Sequence, residues 1–148
     1  MESFITITEL SENEFSWANQ LYDEVGFVHS KPGKDLVMLA KVAGKPAGLG
    51  RIVKITELEA ELGGMYVMPD FRSLGIAHKL IEGLLERGKI YNRIYCLPFS
   101  HLVKLYQGYG FIASGCDDNI PEQIILKHKW CNETYAGRET RLLVRLQT

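Results

Sequence analysis

Residues 66–80 read YVMPDFRSLGIAHKL, and the reading of this stretch decides how the chain folds. An apolar strand end runs into Pro69-Asp70, and proline removes the N–H that a further ladder bond needs. From Gly75 onward, Ile76, Leu80 and Leu84 recur every four residues beside a second row of Ala77, Ile81 and Leu85. Such rows describe one buried face of a helix, ending near Gly88. Arg72 stands at the mouth of that helix. A helix amino terminus exposes N–H groups with no partner inside the helix and carries about half a positive charge, so it attracts anions. Gly75 has no Cβ to keep a phosphate oxygen from the amides of Ser73, Leu74, Gly75, Ile76 and Ala77, and the Arg72 guanidinium adds a fork of donors. The stretch reads as a diphosphate cradle; the plainer alternative is an ordinary strand-to-helix turn with a solvated arginine.

Working outward, residues 4–8 (FITIT) alternate as a first strand. Ser11 caps a helix in which Glu14 reaches back to the Ser11 amide, with Phe15, Ala18, Tyr22 and Val25 at helical spacing and Gly26 as its end. Residues 27–35 (FVHSKPGKD) read as a loop. Residues 36–42 (LVMLAKV) and 47–55 (AGLGRIVKI) flank a turn at 43–46 and make a hairpin, and residues 57–68 (ELEAELGGMYVM) follow as a long strand. Beyond the central helix, residues 93–97 (RIYCL) form a short buried strand broken by Pro98, and Ser100 caps a helix carrying Leu102, Val103 and Tyr106. Residues 109–115 (YGFIASG) resume as strand. Pro121 opens another helix through about Tyr135, Gly137 closes it, and residues 140–146 (TRLLVRL) supply a last strand. The order β-α-β-β-β-α-β-α-β-α-β describes a mixed sheet with helices on its faces.

A chain of 148 residues with 46% apolar content is long enough for one core and too short for two ordinary domains, so residues 1–148 are expected to be a single domain. Lys plus Arg number 17 against 18 for Asp plus Glu, which provides no general field to draw a nucleic-acid backbone. The amino terminus lacks a basic segment followed by an apolar run, and no stretch approaches membrane-spanning length, so neither a secretory signal nor a membrane anchor is expected. Cys96, Cys116 and Cys131 are odd in number and widely spaced, which fits a reduced, cytoplasmic compartment. His29, His78, His101 and His128 have no metal-ligand spacing with them, and no metal is expected. Residues 48–53 (GLGRIV) begin like a dinucleotide fingerprint but place Val53 at the third glycine position, and residues 44–48 (GKPAG) lack the spacing of a P-loop.

The run at 61–81 (ELGGMYVMPDFRSLGIAHKLI) resembles the acyl-CoA signature of the GNAT superfamily of N-acetyltransferases, Arg/Gln-x-x-Gly-x-Gly/Ala, read here as Arg72, Gly75 and Ala77. Residues 105–111 (LYQGYGF) resemble the family's tyrosine-containing helix followed by Gly-Phe at the next strand, and the order of elements matches nearly end to end. The resemblance implies an α/β (α+β) fold with a mixed, mostly antiparallel central sheet and helices on both faces. It implies acetyl-CoA (coenzyme A) as co-substrate, bound by Met65, Val67, Arg72, Ser73, Leu74, Gly75, Ile76 and Ala77. The strand ending at Val67 and the one beginning near Arg93 would splay apart, and Met65 and Val67 would pair with the pantetheine amides as an added strand does. The family's asparagine seven residues before the tyrosine is Phe99 here, with Ser100 as its candidate substitute.

Acyl transfer to an amine needs the neutral amine, yet a free lysine-like amine has a pKa near ~10.4, so a base is required. Glu61 matches the family's strand glutamate, eleven residues before Arg72, and strand alternation puts it on one face with Met65 and Val67. Glu57 and Glu59 share that face as alternative bases, and an exposed or ion-paired glutamate is the bland reading. Tyr106 matches the family's general acid, which serves the departing thiolate; the bland reading is a core tyrosine. The Val67 N–H is a candidate donor to the thioester oxygen. Cys96 reads as an apolar filler before an acyl-cysteine nucleophile. Among the histidines, His101 alone is placed to face substrate, with a cap or surface role as the plain alternative. The helix from Glu122 mixes Ile124, Ile125 and Trp130 with Lys127, His128 and Lys129 and reads as an amphipathic packing face. The expected function is transfer of an acetyl group to a primary amine, on a small molecule or a peptide, by direct nucleophilic attack. A catalytically silent acyl-CoA-binding module is the alternative that Phe99 leaves open, and a nucleotide-binding regulatory domain is a third. The last strand can pair within its own sheet or across a homodimer.

Overall fold

Ala43 and Gly44 both have positive φ, 50° and 82°, the geometry of a two-residue turn whose twist matches that of its flanking strands. This turn closes the hairpin expected from the sequence. The computed structural model describes residues 4–32, 34–114, 119–135 and 137–147; Cys116 lies outside them. In chain order the strands and helices are β1 (Ile5–Glu9), α1 (Phe15–Val25), β2 (Asp35–Val42), β3 (Lys45–Lys54), β4 (Glu59–Val67), α2 (Ile76–Arg87), β5 (Arg93–Cys96), α3 (Val103–Gln107), β6 (Ile112–Ala113), α4 (Glu122–Thr134) and β7 (Leu143–Leu146). The strands follow the order β1-β2-β3-β4-β5-β7-β6. The fold is the mixed, mostly antiparallel α/β arrangement that the sequence leads one to expect. No described helix is long and apolar enough to cross a membrane.

Packing divides the chain into two compact units. The first comprises the chain up to Val53 together with Gly64–Gly88, and the second comprises Lys54–Gly63 and the chain from Lys89 onward. Strand β4 contributes to both.

In the first unit, alternation along β2 sends Val37 and Leu39 to one face, where they pack with Leu49 of β3 and with Phe15, Ala18 and Tyr22 of α1. Met38 goes to the other, where its methyl group approaches Gly83 of α2. Helix α2 buries Ile76, Leu80, Ile81, Leu84 and Leu85, five of the residues in the rows read from the sequence, while Ala77 is half-buried. The glycines of GLGRIV serve this packing: a Cβ at Gly48 would meet the Tyr66 carbonyl at 2.9 Å, and one at Gly50 would meet Leu84 at 2.9 Å. Ahead of α1, the Ser11 N–H and hydroxyl donate to the Glu14 carboxylate at 2.9 and 2.7 Å, and these bonds hold the Glu14 pKa below its usual value. Gly26, at φ 81°, ends α1.

One arginine ties loop 27–34 to the sheet. Arg51 is buried, donates from Nη1 to the Val28 carbonyl and the Ser30 hydroxyl at 2.7 Å each, and lies 4.7 Å over the Tyr22 ring. The Tyr22 hydroxyl donates to the Gly64 carbonyl at 2.9 Å, and burial pushes its pKa up to about 12. Gly64 has φ 59°, a left-handed residue inside β4, so period-two counting does not carry across it. This corrects the simple alternation expected to relate Glu61 to Met65 and Val67.

In the second unit, β4 pairs in parallel with β5 from Glu59↔Arg93 to Leu62↔Cys96. Strand β7 lies between β5 and β6, with Tyr95↔Val144 on one side and Ile112↔Val144 on the other. The last strand therefore pairs inside its own sheet. Helix α4 sets Ile124 against Tyr95 and Val144. Several extents differ from expectation: β3 begins at Lys45 and β7 only at Leu143. Strand β4 begins at Glu59 because Ile55 and Thr56 close a turn on the Glu59 carbonyl, at 2.9 and 3.0 Å, which sends Glu57 into solvent against Lys54. Helix α3 and strand β6 are shorter than their patterns suggest, since Gly108 and Gly110 punctuate the segment between them.

Gly64→Ala should destabilise the protein more than Gly26→Ala. Both pay the left-handed penalty of about 1–2 kcal/mol, but only at position 64 does the new Cβ meet atoms, Arg51 Nε and the Tyr22 hydroxyl at 2.8 Å. Urea denaturation of the two variants checks the ranking, and equal losses would contradict the close packing at Gly64.

Candidate active site

The amino terminus of α2 is built by two left-handed residues. Ser73 has φ 67° and Gly75 has φ 81°, so the chain after Arg72 turns tightly before the helix begins at Ile76. A serine rarely adopts this conformation, and holding it there costs about 1–3 kcal/mol that the surrounding structure must offset. Apart from its own chain neighbours, no atom of the described residues lies within 4 Å of the place a Gly75 Cβ would occupy, so the space there is open. Arg72 donates from Nε to the Val67 carbonyl at 2.9 Å, with its guanidinium carbon 5.7 Å from the Tyr66 ring centroid. The fork is thus oriented by the end of β4. Leu74 is exposed beside the turn, and Ile76 is buried beneath it.

A separate cluster of titratable groups sits in the second unit. The side chain of Glu61 is 5% exposed and that of Lys127 is 30% exposed. Lys127 Nζ donates to both carboxylate oxygens of Glu61, at 2.9 and 2.8 Å. Gly63 makes room for that carboxylate: a Cβ there would stand 3.2 Å from Glu61 Oε2. Glu59, an alternative base by position, is held by the Tyr95 hydroxyl at 2.8 Å and the Thr56 hydroxyl at 3.2 Å. Glu57, the other alternative, is exposed. The three glutamates read as one set in the sequence are therefore in three different environments.

Cys96 ends β5 fully buried, and burial, with a smaller contribution from Glu61, pushes its thiol well above the usual value. Tyr106 is buried with its ring edge-on to Phe111, and burial, aided by Cys96, raises its hydroxyl strongly. Both groups keep their protons through the neutral range. Cys131 is buried one helical turn beyond Lys127, and burial raises its thiol as well.

The neighbourhood of Phe99 departs from expectation. Ser100 opens a 3-10 turn, Ser100–Leu102, and its hydroxyl donates to the Glu139 carbonyl at 3.0 Å instead of capping the helix. Phe99 stacks on His101 and meets Tyr135 edge-on. His128 is within 3.0 Å of the Thr140 carbonyl through Nε2, a structural contact.

Lys127 is the residue that sequence reasoning missed. Its signal was present: Ile124, Lys127, His128 and Cys131 fall at i, i+3, i+4 and i+7, one stripe of α4, and Ile124 and Cys131 on that stripe are buried. A lysine on a buried stripe needs a partner, and Glu61 is that partner.

Lys127→Met should lower stability by about 1–3 kcal/mol, less than the about 3–5 of a fully buried pair because Lys127 keeps contact with water. Adding Glu61→Gln should recover part of the loss. A denaturation double-mutant cycle measures the coupling. A coupling near zero would contradict an ion pair in solution.

The fold is shared with solved structures. N-acetylglutamate synthase from Neisseria gonorrhoeae, solved with coenzyme A and L-arginine, aligns over 97% of this chain with TM-score 0.73 and 14% identity; the chain spans about a third, 33%, of that protein's length. Rv2747 from Mycobacterium tuberculosis, solved in complex with CoA, aligns over 97% of this chain and 99% of its own, with TM-score 0.75 and 14% identity. ElaA from Escherichia coli aligns over 95% and 99%, with TM-score 0.68 and 17% identity. At such identities the likeness is one of fold. No curated protein sequence matches the chain. The sequence model of the acetyltransferase (GNAT) family matches residues 4–111, and the chain belongs to that family.

Proposed function

We propose that the protein transfers an acetyl group from acetyl-CoA to a primary amine by direct attack of the amine. The observation that carries this reading is Glu61, a carboxylate shielded from water that already holds an amine, Lys127 Nζ, on both oxygens. An acceptor amine in that position would give its proton to Glu61 and become nucleophilic. Acetyl-CoA supplies the activated carbonyl and a thiolate leaving group. The start of α2 fits its diphosphate: Gly75 is left-handed with open space before it, the amides of Ser73 to Ala77 run from the turn into the first residues of the helix, and Arg72 is held in place by Val67. The backbones of Met65 and Val67 remain the proposed partners of the pantetheine arm. Tyr106, whose raised hydroxyl stays protonated, is the proposed donor to the thiolate. The Cys96 thiol, also raised by burial, speaks against an acyl-cysteine and for direct attack. CoA in the synthase and Rv2747 structures supports the co-substrate, and a family match running from residue 4 to 111 through both units supports one N-acetyltransferase domain.

Thiol release from acetyl-CoA should depend on added amine, and Glu61→Gln should slow it most at neutral pH and least at high pH, where more acceptor is already neutral. Tyr106→Phe should lower turnover by about a hundredfold, the low end of general acid catalysis, because a thiol of pKa near ~8.5 is already a tolerable leaving group. Amine-independent hydrolysis alone, or CoA at a hundred times any plausible dissociation constant failing to add about 2.7 kcal/mol to stability, would contradict the reading.

A further inference from the structure

We propose that the acceptor is an α-amino acid, its amine taken by Glu61 and its carboxylate by Lys127. This inference rests on the reading of Glu61 as the base. Glu61 and Lys127 together are neutral, and they sit where the carboxylate is 5% exposed. A cationic amine that displaced Lys127 from Glu61 would leave the site with a net positive charge and Lys127 without the carboxylate that now holds it. A zwitterion brings one charge of each sign. It replaces one internal ion pair by two intermolecular ones, and the total charge of the site does not change.

The surroundings leave these roles to this pair. Glu59 is already held by the hydroxyls of Tyr95 and Thr56. On α4, Lys129 is largely exposed and lies 4.0 Å from Glu133, and His128 meets the Thr140 carbonyl and Asn132. Lys127 is the cation that α4 carries on its buried stripe between Ile124 and Cys131. Its flexible stem and partial exposure let it swing away from Glu61 without moving the helix. An amine that takes the place of Nζ, now within 2.9 Å of both Glu61 oxygens, would have the displaced Lys127 as its neighbour, so the proposal sets amine and carboxylate side by side. That spacing suits an amine and a carboxylate on one carbon and disfavours a long ω-amino acid.

The test compares each natural α-amino acid with its amide and with its decarboxylated amine, using acetyl-CoA and the full chain, with product read by mass spectrometry. The side chain that turns over fastest should show a kcat/KM about ten- to a hundredfold higher for the free acid than for either carboxylate-free partner, the range of a charge-assisted hydrogen bond. Lys127→Met should bring that ratio near one, and Lys127→Arg should restore most of it. Amides or simple amines acetylated as well as the acids, or a preference that survives in Lys127→Met, would overturn the proposal while acetyl transfer itself stands. Acetylation of peptide lysines but of no amino acid would do the same. The wild-type comparison needs no variant to fold, and failure of every amine would overturn the acetyl-transfer reading together with this one.

Discussion

A carboxylate cannot stay ionised inside a protein without a cation to meet it, and the second unit is organised around that requirement at Glu61. The register of β4 on β5 sets Glu61 opposite Tyr95, Tyr95 packs against Ile124, and Ile124 fixes the face that α4 presents. Three residues on, the same face delivers Lys127 to both carboxylate oxygens. Gly63 completes the arrangement, since a side chain there would press on Glu61 Oε2. Sheet register, helix packing and one missing Cβ thus converge on a single charged contact. Burial raises the two thiols that feel the Glu61 carboxylate, Cys96 and Cys131, and raises the Tyr106 hydroxyl next to Cys96, so all three keep their protons at neutral pH.

The first unit is governed by backbone geometry. Gly64 turns left-handed inside β4 and hands its carbonyl to Tyr22, whose ring lies under the Arg51 guanidinium that holds the loop after α1. Farther along, Ser73 and Gly75 turn left-handed again, so that α2 begins abruptly with open space before its first turn. A serine held at positive φ is a cost that ordinary turns avoid. Here it stands next to an arginine oriented by the Val67 carbonyl, in the run proposed to hold the diphosphate.

Features with a local period were legible in the sequence, and features set by long-range pairing were not. The rows of α2, the Ser11–Glu14 cap and the Ala43-Gly44 turn each depend on residues a few positions apart; the first two formed where the pattern placed them, and the turn took the first two of the four residues expected for it. The insertion of β7 between β5 and β6 depends on which strands find each other, and an apolar run such as TRLLVRL carries no record of that choice. Glu57, Glu59 and Glu61 look equivalent by alternation, but a turn closed on the Glu59 carbonyl removes Glu57 from the strand. Lys127 was hidden by the habit of reading a lysine among apolar residues as a solvated edge, although its spacing from Ile124 and Cys131 put it on the buried stripe. The double glycine at 63 and 64 was the local sign that β4 is not a plain strand.

These two constructions give a chemical division of labour: backbone amides and one arginine for the proposed diphosphate, and a shielded carboxylate that already practises holding an amine. The most direct measurement of the central claim, that an acceptor amine replaces Lys127 on Glu61, is a crystal structure of the enzyme with CoA and an N-acetylated product. The account predicts the product's amide nitrogen within hydrogen-bond reach of the Glu61 carboxylate, with Lys127 withdrawn from it. A product lying away from Glu61, with the Lys127 pair intact, would contradict it.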